Sequence, residues 1–156
     1  MPSHAEKRLM PYSATEMYGL IADIAAYPQF LPWCQAARIR KRTPLGGGAE
    51  VVDADLVISF KVFRERFGSR VVLRPEQRRI EVAYLDGPFR YLDNHWEFIA
   101  KGDQVCEVDF TVDFEFRNAL MQKVIGLVFH EAMQRVVRAF EARAVDLYGQ
   151  RPPPTG

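Results

Sequence analysis

Three histidines and two cysteines are the side chains with most scope for chemistry in this 156-residue chain. His4, His95 and His130 do not pair with Cys34 or Cys106 at a spacing that suits zinc, and neither HExxH nor CxxC occurs. No GxSxG turn is present to raise a nucleophilic serine. Gly46-Gly47-Gly48 runs into Ala49-Glu50 rather than Lys-Ser/Thr, so it does not read as a phosphate loop. Alternation puts His95 on an outer strand face, and His130 follows Phe129 on a long helix. Both read as structural or solvent-facing. Glu65 is the one acid expected on an inward face, with no base partner in view. The expectation is therefore no catalytic set, no metal site and no covalently held cofactor.

The surplus lies elsewhere. Two Trp, 6 Tyr and 11 Phe make 12% of the chain aromatic. Hydrophobic residues at 48% and charged residues at 26% are ordinary for a globular domain and exclude a wholly disordered chain. The net charge of +1 provides no global field for nucleic acid or an anionic membrane. Locally the balance is uneven. Residues 35–80 are rich in Lys and Arg, whereas residues 81–116 are rich in Asp and Glu. A basic face carrying Arg38, Arg40, Lys41, Arg42, Arg64, Arg66, Arg70 and Arg74 could follow a phosphate backbone. Stacking aromatics should then share that face, but in the strand from Phe63 they point the other way. Outer strand faces paired to acidic neighbours are the simpler reading. Widely spaced cysteines, no secretory h-region and no run of 18 apolar residues point to the cytoplasm.

The elements that carry these residues follow from periodicity. Residues 3–12 read as an edge strand, and Ser13-Ala14-Thr15-Glu16 is a capping box opening a helix that Tyr27-Pro28 stops. A single helical turn fits between Pro28 and Pro32. Alternating strands then follow with short turns, which predicts an antiparallel meander, about seven strands in all. Its dry face collects Phe60, Phe63, Phe67, Tyr84, Trp96, Phe98, Phe110, Phe114 and Phe116. Asn118 caps a last helix that Gly149 ends. The first half of that helix, Ala119 to Phe129, is apolar on almost every side and so needs cover all round, with Gly126 making room beside it. One helix cannot fill a strongly bent sheet without voids. Either the aromatics fill the space or a cavity remains for an apolar ligand. Glu65, Ser69 and Asn94 fall among the inward residues, and a polar ligand head could partner one of them. Residues 1–149 read as one domain and 150–156 as a disordered Pro-rich tail.

Order and residues together resemble the helix-grip fold of START-like and polyketide-cyclase-like domains. That is an α+β fold with a curved antiparallel sheet of about seven strands around a long C-terminal helix, and two short helices after the first strand. Tyr27-Pro28-Gln29-Phe30-Leu31-Pro32-Trp33-Cys34 resembles the YPxFLPWC signature of coenzyme-Q-binding START-like proteins. Asp86-Gly87-Pro88-Phe89-Arg90-Tyr91-Leu92 with Trp96-Glu97-Phe98 is similar to that family's DGPFxxL…WxF segment. The resemblance implies a non-enzymatic carrier or chaperone that binds ubiquinone or a similar polyprenyl lipid in a hydrophobic tunnel and supports respiratory electron transport. It implies a cytoplasmic protein, peripheral at the inner membrane, with a membrane surface or respiratory complexes as transient partners.

The tail of such a lipid exceeds one pocket, so it protrudes or is shared in a homodimer. Bacterial relatives also carry the label of a toxin that blocks association of ribosomal subunits, with the ribosome as partner. An aromatase or cyclase enzyme is the third reading. The expected ligand residues are Phe30, Leu31, Trp33, Pro88, Phe89, Leu92 and Trp96 near mouth and head. Phe60 and Phe67 belong to the sheet wall, and Met121, Val124, Val128 and Phe129 to the helix wall.

Overall fold

The computed structural model describes residues 3–60 and 63–153. Seven strands form one antiparallel sheet: β1 (Ser3–Met10), β2 (Cys34–Gly46), β3 (Ala49–Phe60), β4 (Phe63–Arg74), β5 (Arg79–Asp86), β6 (Phe89–Gly102) and β7 (Val105–Phe116). Their order is β1-β7-β6-β5-β4-β3-β2. Consecutive strands pair, as short turns require, and β1 closes onto β7 with Ser3 opposite Asp113 and Met10 opposite Cys106. Helix α1 (Ala14–Ala22) and helix α2 (Ala119–Tyr148) complete the helix-grip arrangement.

The capping box forms as the sequence predicts. The Glu16 amide donates to the Ser13 hydroxyl at 3.0 Å, and the Ser13 amide donates to the Glu16 carboxylate at 2.9 Å. Helix α1 buries Met17, Leu20 and Ile21. It ends earlier than expected, because Asp23 takes a non-helical conformation. The second helical turn is a 3-10 segment, Ile24–Gln29, with Pro28 inside it rather than ahead of it. A 3-10 turn this short tolerates proline, since few of its amides need intrahelical acceptors. The Tyr27 hydroxyl donates to the Ile21 carbonyl and ties that turn to α1.

Helix α2 starts where Asn118 accepts hydrogen bonds from the amides of Leu120 and Met121 and ends at Gly149. At 1.5 Å per residue it is roughly 45 Å long. Its first half differs from the expectation of cover all round. Leu127 is 79% exposed and Leu120 60% exposed. Gly126 also faces outward, and a Cβ there would meet nothing within 4 Å. Only the stripe containing Met121, Ala132, Val137, Phe140 and Ala144 is buried against the sheet.

The outer sheet face neutralises its own charge. Arg70 donates to Asp53 at 2.9 Å, Arg66 bridges Asp55 at 2.6 Å and Asp86 at 2.8 Å, and Arg40 pairs with the same two aspartates. Hydrogen bonds from these arginines hold the three carboxyls below their ordinary range.

Arg151 lies in the segment expected to be a disordered tail, yet it reaches back to the start of α1. It donates to both Glu16 oxygens, at 2.7 and 2.9 Å, and stacks 4.7 Å above the Tyr12 ring. Residues 154–156 of that tail are outside the described residues. The Arg151 hydrogen bond, with help from Ser13, pulls the Glu16 carboxyl from 4.5 down to about 2. The folded state thus binds this proton more weakly than the unfolded chain does. The stabilisation is complete above pH 4.5 and is lost as the pH falls toward about 2. Urea unfolding across that window is expected to show a slope that flattens in Arg151→Ala, with little change near neutrality in the slope itself.

Candidate functional site

The site is an internal space on the concave side of the sheet, under α2. It has two chambers. The first, about 250 Å³, lies between α1, the 3-10 segment and the middle of the sheet, with walls such as Met17, Ile21, Val71, Ile80, Trp96 and Phe110. The second, about 260 Å³, lies toward the start of α2, and its walls include Trp33, Phe60, Phe63, Phe89, Phe114 and Phe116. Leu31, Leu56, Phe67, Leu92, Val112, Met133 and Val136 line both and form the throat between them. A shallower depression along α2 shares Trp33, Phe60 and Ala132 with the second chamber and adds Glu131 and Arg135. It is the outer end of the space, bounded by charge.

The turn between β5 and β6 builds the second chamber. Gly87 has φ +135°, and a Cβ there would lie 2.7 Å from the Phe67 Cβ. Glycine is required by this close approach. The turn delivers Phe89, 3% exposed, into a ring of aromatics. Phe89 stacks on Phe116 at 4.6 Å and meets Phe67, Tyr84 and Phe114 edge-on at 5.3, 5.6 and 5.6 Å. Its amide donates to the Tyr84 hydroxyl at 3.0 Å and its carbonyl accepts from Arg117 at 2.9 Å. Trp33 sits at the outer end in a left-handed conformation, φ 66°, unusual for a bulky side chain. The Ser59 amide donates to its carbonyl at 2.8 Å, and its ring meets Phe60 edge-on at 5.2 Å.

Polar groups in the walls are few. Asn94 is already occupied: it accepts from the Trp96 indole N–H at 2.8 Å and donates to the Thr111 carbonyl at 2.8 Å. Ser69 is 3% exposed and lines the first chamber. Glu65 lines the second. Arg8 and Glu141 form an ion pair at the β1 side of the first chamber, extended through Glu6 to His4. Among the described residues no three His, Cys, Asp or Glu side chains converge as metal ligands. Burial pushes the Cys106 thiol up to about 11, and Cys34 is raised for the same reason.

The residues expected from sequence divide clearly. Leu31, Phe67 and Leu92 are throat residues. Trp33, Phe60, Phe89 and Met121 line the second chamber, and Trp96 the first. Val128 lies in the outer depression. Pro88 and Val124 line neither chamber. Pro88 instead gives its carbonyl to the Arg117 amide. Phe30 is not at the mouth: it packs 5.4 Å from Phe140, with the Arg143 guanidinium 5.1 Å over its ring. Phe129 backs the wall, 5.6 Å from Phe114 and 6.4 Å from His4. The helix wall is made by Met121, Ile125, Met133 and Val136. An apolar run offers no phase of its own. Carrying the phase of Val136 and Phe140 back in steps of 3.6 gives positions near 133, 129 and 125, which finds Met133 and Ile125 but also selects Phe129.

The geometry has counterparts. Residues 10–141 match the family model for polyketide cyclase/dehydrase and lipid transport. The chain belongs to this family. The Escherichia coli K12 ribosome association toxin RatA is 38% identical over 151 residues, covering 97% of this chain and 92% of that one. The mitochondrial coenzyme Q-binding protein COQ10 homolog B of Xenopus laevis is 28% identical over 155 residues, covering 97% of this chain and 61% of that one. Among solved structures, an 18 kDa Caulobacter crescentus protein superposes with a TM-score of 0.79 at 33% identity, covering 96% of this chain and 100% of that one. As expected of a family member, this chain has the START-like helix-grip fold. None of its described helices is long and apolar enough to cross a membrane.

Because Phe89 holds four other rings in place, Phe89→Ala is expected to destabilise the protein by about 3–5 kcal/mol. Thermal and urea unfolding would measure this.

Proposed function

We propose that this protein binds a polyprenyl quinone of the ubiquinone class in its two-chamber interior and carries it without chemical turnover. The observation that carries this reading is the pair of largely apolar chambers joined by an apolar throat, the second of them the richer in aromatic rings. A flat ring suits the aromatic walls of the second chamber, where edge and face contacts are available. An isoprenoid chain suits the first chamber, whose walls mix aliphatic side chains such as Met17, Ile21, Val71 and Ile80 with aromatic ones, each buried CH₂ contributing about 0.8 kcal/mol. The likeness to a protein named coenzyme Q-binding supports the ligand class. A transient membrane surface or respiratory complex, or a second copy sharing the tail, fits a carrier of this kind.

Two measurements test the reading. Organic extraction of the protein from a quinone-producing host, followed by mass spectrometry, is expected to recover a quinone. If none is recovered and added quinone does not bind, the reading fails. Leu92→Trp narrows the throat and is expected to weaken a long-tailed quinone at least about tenfold more than a short-tailed one, since lost tail burial of about 1.4 kcal/mol already gives that factor.

A second reading is favoured by the greater identity to proteins named ribosome association toxins. On it, exposed Arg38 and Arg64, neither of which pairs with a carboxylate among the described residues, would contact a ribosomal subunit. Co-sedimentation at low and high salt tests it. Arg38→Glu with Arg64→Glu should abolish sedimentation at low salt, and unaltered sedimentation would exclude this face as the contact.

A further inference from the structure

Among the described residues, Glu65 is the one ionisable group lining the second chamber besides the Cys34 thiol, and that thiol already donates to the Ala36 carbonyl. Cys34, Ile58 and Glu65 stand in one row across β2, β3 and β4. Glu65 therefore belongs to the end of the chamber formed by Trp33, Phe60 and Phe63. Its side chain is half-buried, and among the described residues it makes no hydrogen bond and no ion pair. Several acids with a comparable degree of burial have arginine partners: Asp53 has Arg70, Asp55 has Arg66 and Glu16 has Arg151. Among the described residues, Glu65 is thus an unpaired acid that lines an apolar space.

An ionised carboxylate can only accept hydrogen bonds. A ligand entering the second chamber removes water from it, so the ligand must bring a donor or leave a desolvated charge behind. The two redox forms of a quinone differ in this respect. The oxidised ring presents two carbonyl acceptors, whose lone pairs oppose the carboxylate. The reduced ring presents two hydroxyl donors, and an O–H donating to a carboxylate is among the stronger hydrogen bonds. The flanking aromatic rings hold either form flat, so they do not discriminate.

Building on the quinone reading above, we propose that Glu65 is the headgroup acceptor and makes the site selective for the reduced, hydroxyl-bearing ring over the oxidised one. The protein transfers no electrons in this scheme. It binds one member of the couple more tightly. Ser69 lies four residues further along the same inward row, roughly 13 Å deeper in the first chamber, where the tail runs. The headgroup preference accordingly belongs to Glu65 and not to Ser69.

The test is equilibrium dialysis of the intact protein with a short-tailed ubiquinone analogue, oxidised or reduced with dithionite under argon. The reduced form is expected to bind at least about tenfold more tightly. Equivalently, the midpoint potential of the bound couple should rise by about 30 mV per tenfold, as for any two-electron couple. Glu65→Gln, which can donate as well as accept, should reduce the preference to less than about threefold. Ser69→Ala should leave it intact. Near-ultraviolet circular dichroism checks that both variants are folded, and the wild-type comparison needs no variant. If both forms bind the wild type equally, or Glu65→Gln keeps the full preference, the proposal is overturned while the quinone reading stands. If neither form binds the wild type, the quinone reading itself fails.

Discussion

One helix, about 10 to 12 Å across, has to cover the concave face of seven strands that together span roughly 29 Å. That mismatch of width shapes the interior. Helix α1 and the 3-10 segment fill part of the difference near the middle of the sheet, where Ile21, Val52, Ile80 and Cys106 are fully buried. The remainder is divided by a throat of seven side chains into two chambers. A close-packed interior normally closes such voids. Here the rings around Phe89 brace one another instead and hold the second chamber open.

The same economy is visible in the polar groups. On the outside, arginines and aspartates from β2, β3, β4 and β5 satisfy one another, so the basic segment leaves little free charge. At the junction of α1 with the chain after α2, Glu16, Ser13 and Arg151 form a closed set. Inside, Asn94 is held by Trp96 and Thr111. Among the described residues, Glu65 departs from this pattern, as the buried Tyr18 hydroxyl and the Asp109 Oδ1 do, and Glu65 does so inside the aromatic chamber. Its carboxyl group gives that chamber a polar feature.

Much of the fold was legible because alternation survives in the sequence. In β7, Cys106, Val108, Phe110 and Phe114 alternate with acids, and all four are buried. The capping box at Ser13 and the Asn118 and Gly149 stops also needed only local rules. Helix α2 was harder. From Ala119 to Phe129 hydrophobicity lacks a period, so neither the exposure of Leu127 nor the outward Gly126 could be read from it. Phe30 and Pro88 belong to a recognisable motif, but a motif does not say which of its members face a cavity and which brace the wall.

The sequence by itself determined the meander, its dry aromatic face, the helix termini and the absence of any familiar catalytic spacing. These depend on neighbours a few residues apart, where periodicity and capping act. Only the tertiary structure decided which aromatics line space and which fill it, where the throat lies, and that Arg151 returns to Glu16 across the whole chain. Those depend on how far α2 stands from a curved sheet, a distance set by packing between residues remote in sequence. The unpaired state of Glu65 among the described residues is of the same kind: its inward direction follows from alternation, but the lack of a partner there depends on everything else that reaches the second chamber.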